Sequence, residues 1–168
     1  MKHAAVSNFE SSLADIGVNC TRTTTDTFAD DLASVVSEPA VGVPLGLECV
    51  SLDDTVVQLP PTPRLLTDAK TGVAPVRKAI AEYGTLVIDS DSAGTEPVSL
   101  YPPTHVAIIR ESDVLPDIES VSDYLDEHFA ADGSSVFATG VSSTGDMGKN
   151  VKGVHGPKYV HVLLLEDQ

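Results

Sequence analysis

Short runs in which every residue is apolar constrain this chain more than any other feature. Residues 106–109 (VAII) and 162–165 (VLLL) are far too short to cross a bilayer, which takes about 20 apolar residues. They also lack the alternation of a half-buried strand and the spacing of a surface helix. A run of this kind reads as a strand covered on both faces. Helical patterns stand among such runs. Thr25 and Asp26 offer an N-cap to a helix with Phe28, Leu32, Val35 and Val36 on one side. Pro116, followed by Asp117 and Glu119 where negative charge suits the helix dipole, opens another with Ile118, Val121, Leu125 and Phe129 inward. Strands alternating with helices give an α/β fold, a three-layer α/β/α sandwich with a mainly parallel sheet.

Further strands are expected over 18–21, 40–45, 85–89, 105–110 and 135–138, with 159–165 closing the sheet, and a leading helix over 8–16. Val73, Val76, Ile80 and Tyr83 predict a helix that Thr71 caps, that tolerates Pro75 in its first turn and that Gly84 stops. A short helix is expected in the 139–150 loop. Residues 46–64 read as irregular, with a short strand at Val56 and Val57 and breaks at Pro60, Pro61 and Pro63. The whole chain, 1–168, fits one domain, which at this length buries roughly 70% of its unfolded surface without metal or disulfide.

Twenty-five carboxylates against ten Lys and Arg give a net charge of −15. The acidity is dispersed in pairs such as Asp30 and Asp31 or Asp53 and Asp54, a surface that repels nucleic acid and anionic membrane. It suits a high-salt cytoplasm such as that of a halophilic archaeon, where screening relieves self-repulsion. The first residues hold no sustained apolar run of the secretory kind, so a cytoplasmic location is expected. Cys20 and Cys49 stand far apart without a CxxC pattern. They are expected to be reduced, largely buried thiols, and two thiols cannot hold a four-cysteine iron–sulfur cluster.

Against this acidity, Lys149, Lys152, Lys158, His155 and His161 fall between Asp146 and Glu166 with no carboxylate between. Two segments of that region are candidates for binding a small anionic metabolite. Gly140, Ser142, Ser143 and Thr144 supply hydroxyls and N–H groups at a possible helix start, and Gly153 and Gly156 flank His155 in a tight turn, with Lys149 and Lys152 nearby. Each has a plainer reading: an N-cap for the first, a backbone-bonded turn for the second. Ligands of parallel sheets gather beyond the carboxyl ends of the strands, where these loops are expected. Histidine in general transfers protons near neutral pH, so His155 is a catalytic candidate, as is Glu82 at a helix end facing the cleft. His161 and His105 read as packing residues, the latter at the opposite end of the sheet. Neither Walker A, GxGxxG nor GxSxG occurs, and no metal site is expected.

Four segments together resemble the LUD domain of the lactate utilization protein C family: residues 72–87, residues 100–108 (LYPPTHVAI), residues 142–147 (SSTGDM) and residues 153–157 (GVHGP). The resemblance implies the fold of sugar-phosphate isomerases and CoA transferases. It also implies an accessory role in oxidising L-lactate to pyruvate, with iron–sulfur clusters carried by partner proteins and no cofactor in this chain. The family commonly has Gly-Pro-Ser where this chain has Gly140, Val141 and Ser142, and Ala in place of Gly145. Two alternatives stand beside that role: an enzyme acting alone on a small phosphorylated or carboxylated metabolite, and a sensor that binds one without turnover.

Overall fold

The computed structural model describes residues 2–166, the side chain of Lys2 excepted; the remaining ends of the expected 1–168 domain lie outside the described residues. The chain opens with α1 (Lys2–Asp15), β1 (Asn19–Thr23), α2 (Phe28–Val35), β2 (Ala40–Gly42) and β3 (Val57–Gln58). It continues through α3 (Pro63–Asp68), β4 (Thr71–Pro75), β5 (Lys78–Ile80), β6 (Thr85–Ser90), α4 (Thr95–Leu100) and β7 (Thr104–Arg110). The last part holds β8 (Val114–Leu115), α5 (Ser122–Ala130), β9 (Ser134–Thr139), β10 (Ser143–Thr144), β11 (Val151–Lys152) and β12 (Tyr159–Leu165).

The main sheet is parallel throughout, in the order β1-β12-β7-β4-β2-β3. β12 does not close it at an edge but lies inside it, as its wholly apolar run requires. Alternate side chains divide two cores. Val73, Val106, Ile108, Leu163 and Leu165 meet Phe28 and Leu32 of α2 on one face. Ala107, Ile109, Val162 and Leu164 meet Phe9 and Leu13 of α1 and Leu86 and Ile88 of β6 on the other. A second sheet, β8-β5-β6-β9, packs on that second face with β6 antiparallel to both neighbours. This mixed α/β sandwich with a parallel centre bears out the expected fold class.

Several local expectations are corrected. Residues 71–83 are not a helix but β4, a turn and β5. Every residue from Thr71 to Val76 is buried, so the stretch has no polar side to turn to water. Gly72 is the reason it fits, because a Cβ there would lie 1.9 Å from the carbonyl oxygen of Val98 in α4. Pro63 starts α3 at its first turn, where its missing N–H costs nothing, with the Thr62 hydroxyl accepting from Leu65 N at 3.2 Å. The 139–150 loop holds no helix; β10 and β11 form a small antiparallel ribbon instead. Ile118 and Phe129 are exposed, and Val121 alone of the expected inward four is fully buried. Cys20 is half-buried and Cys49 exposed, so neither is a core thiol.

Candidate functional site

The segment leaving β9 crosses to the start of β12 and folds around Ser142. The Ser142 N–H donates to the Pro157 carbonyl at 2.9 Å, Gly153 N donates to the Ser142 carbonyl at 2.9 Å, and His155 N donates to the Ser142 hydroxyl at 3.2 Å. Gly153 takes φ +78°, a backbone that favours glycine. Sequence reasoning paired these two loops, and they do meet. Their position is corrected, however. Lys158 and Tyr159 donate backbone N–H bonds to the Pro103 carbonyl at 2.8 and 3.0 Å, ahead of β7. The loops therefore lie at the amino ends of the parallel strands, not beyond their carboxyl ends. The N–H groups of Ser142, Gly153 and His155 close the loop on itself and are not offered to an anion.

Beneath the loops is a cavity of about 220 Å³. Leu86, Ile88, Leu100 and Val160 give it apolar walls, and Thr139, Gly140, Ser142, Ser143, His155 and Gly156 line its rim. His105 lines it too, which reverses the expectation that it sits at the other end of the sheet. This imidazole is 1% exposed, and its Nε2 is buried without a hydrogen-bond partner among the described residues. Burial pushes its pKa down to about 4, so the ring is neutral at physiological pH. The sequence shows an ionisable residue directly ahead of the apolar run 106–109, but not at which end of the sheet it lies. Lys149 and Lys152 are exposed and do not line the cavity. The Thr144 hydroxyl accepts from Asp146 N at 3.2 Å, an interaction local to the ribbon. Glu82 is exposed in the turn between β5 and β6, beside the Tyr83 hydroxyl, and is absent from the cavity lining; the predicted helix end that aimed it at a cleft does not exist. His161 instead bonds the Thr21 hydroxyl at 2.9 Å across β1 and β12.

The carboxyl ends of the strands carry a basic cluster that sequence reasoning missed, because its members are scattered along the chain. Arg77 and Lys78 follow β4, and Arg110 ends β7. Asp113 accepts from Lys78 Nζ at 2.5 Å and from Arg110 Nε and Nη2 at 2.7 Å each. These residues and Tyr124 line a cavity of about 210 Å³. Tyr124 donates to buried Asp89, which also accepts from Ser135 at 2.7 Å. Burial and that carboxylate raise the Tyr124 pKa. A wider cleft of about 610 Å³ adjoins, sharing Gly46, Leu47 and Arg110 and bordered by Glu48, Cys49 and Glu166. Among the described residues no group of three or more His, Cys, Asp or Glu is placed to hold a metal, and no helix is long and apolar enough to cross a membrane.

The fold is a parallel-centred α/β sandwich with a partly apolar cavity over one end of the sheet and a second cavity, lined by Arg77, Lys78 and Arg110, at the other. Residues 61–165 match the LUD domain, and the chain belongs to that family. Lactate utilization protein C of Bacillus subtilis is 32% identical over 106 residues, 60% of this chain and 44% of that protein. The protein of the same name from Geobacillus thermodenitrificans is 31% identical over the same shares. The chain thus spans less than half the length of these relatives. A crystal structure of a DUF162 family protein from Deinococcus radiodurans superposes with a TM-score of 0.79 at 20% identity, covering 98% of each chain, a likeness of fold.

Proposed function

We propose that this chain is an accessory component of a system oxidising L-lactate to pyruvate, and that it holds a small carboxylate metabolite in the amino-end cavity. The observation that carries the site is the unpartnered, buried Nε2 of His105, a residue that lines the cavity, since such atoms are rare without a role. Relatives named lactate utilization protein C supply the pathway. In the proposed complex the neutral His105 ring and the Ser142 and Ser143 hydroxyls meet the polar end of the ligand, while Leu100 and Val160 cover its carbon end. Lys149 and Lys152 stay outside and raise the local anion concentration at the mouth. His155, at the rim, is positioned to move a proton.

Electron transfer falls to iron–sulfur partner proteins, because Cys20 and Cys49, on a strand and in a distant cleft, cannot make a four-thiolate site. A high-salt cytoplasm is the setting that the net charge of −15 favours. Deleting the gene in its native host should abolish growth on L-lactate and spare growth on pyruvate, and a His105→Leu gene should fail to restore it. Unimpaired growth of the deletion strain on L-lactate would rule the role out.

A further inference from the structure

We propose that the amino-end cavity takes a 2-hydroxy carboxylate whose side chain is a compact apolar group of about six carbons, the size of a phenyl ring, in preference to lactate itself. The inference rests on the reading of this chain as a lactate-pathway component, which fixes the head group; the cavity fixes the tail. The space lies between the two sheets. His105 and Val160 are register partners on β7 and β12 of the main sheet, and Leu86 and Ala138 are register partners on β6 and β9 of the second. All four line the cavity, together with Ile88 of β6 and Leu100 of α4. Apart from His105 these walls are apolar and belong to, or pack against, the core between the sheets.

Size sets the tail. An apolar cavity of about 150 Å³ holds a benzene ring, and this one measures about 220 Å³, which accommodates such a ring with a hydroxy-acid head beside it. Lactate, whose only apolar group is a methyl, would leave most of Leu86, Ile88, Ala138 and Val160 without contact, and walls that meet no partner forfeit their dispersion energy. Chemistry sets the head. His105 Nε2 is buried without a partner among the described residues, and the Ser142 hydroxyl, which accepts from His155 N, keeps its own proton to donate. Both suit a hydroxy acid and neither suits the tail. Ala138 has the smallest side chain among these wall residues, so the width of the cavity beside Leu86 depends on it.

Titration of the full chain with L-phenyllactate and with L-lactate at constant KCl, followed through the His105 imidazole by NMR, tests the site. Each added buried methylene is worth about fourfold, so L-phenyllactate is expected to bind about a hundredfold or more tighter than L-lactate. Ala138→Val, which fills part of the cavity, should weaken L-phenyllactate about tenfold and leave L-lactate unchanged. Retained L-lactate binding also guards against a loss caused by misfolding. Equal affinity for the two acids overturns the size preference and leaves the carboxylate site standing, whereas saturation by neither acid at about 10 mM overturns both. A preference that survives Ala138→Val unaltered puts the ring elsewhere and overturns the proposal.

Discussion

Replacing His105 by leucine should flatten the acid limb of the protein's stability. The imidazole falls from an ordinary pKa of 6.5 to about 4 on folding because burial disfavours its charged form. Above the unfolded value the two states bind the same number of protons, and stability is unaffected. As the pH drops from 6.5 towards 4, the unfolded chain takes up a proton that the folded chain refuses, and stability is lost. The full drop is worth about 3 kcal/mol, of which about 2 kcal/mol is gone near pH 5. Leucine nearly matches the ring in volume and carries no proton, so the variant escapes that loss. It also removes the buried Nε2 that has no partner, so near pH 8 it should be no less stable than the parent. Urea denaturation of both proteins between about pH 8 and pH 5 at fixed KCl isolates the effect, because all other titrations are shared. Stability curves that stay parallel within about 0.5 kcal/mol over that range would refute a neutral, desolvated His105.

Gly72→Ala places a methyl group 1.9 Å from the Val98 carbonyl oxygen; separating β4 from α4 should cost about 3 kcal/mol and lower Tm by about 10 °C, and an unchanged Tm would contradict the close approach. Ser142→Ala removes the acceptor of the His155 N–H and should cost about 1 kcal/mol, with faster amide exchange at His155 as its signature; unaltered protection there would show that the hydroxyl does not hold the turn. With a net charge of −15, Tm should rise from about 0.1 M to about 2 M KCl as screening tightens, and equal melting temperatures would count against a salt-adapted surface.

How much was legible depended on whether a signal was local. β7 and β12 were readable because a covered parallel strand writes an unbroken apolar run, and β6 and β9 nearly so. Residues 71–83 misled because Val73, Val76 and Ile80 satisfy a helical spacing by chance; Gly72 and Pro75 were the contrary cues, and the first makes sense only once α4 lies against it. α4 itself, six residues long with a proline inside, is too short to write a period. The contact of Ser142 with the 153–157 turn was legible from proximity in sequence. His105 was not, since its end of the sheet follows from the direction in which β7 runs. Arg77, Lys78 and Arg110 become a cluster only when β4 and β7 pair.

The position of β12 bears on how the chain reaches this structure. Among the described residues β1 is an edge strand whose sole partner in the main sheet is β12, and Thr21 meets His161 across 140 positions of sequence. Synthesis proceeds from the amino end, so β1 exists long before the strand that anchors it, while β7 and β4 can already pair. Contacts of such separation slow folding. The last event should be insertion of β12 between β7 and β1, and until then both flanking backbones remain open to pairing with another chain.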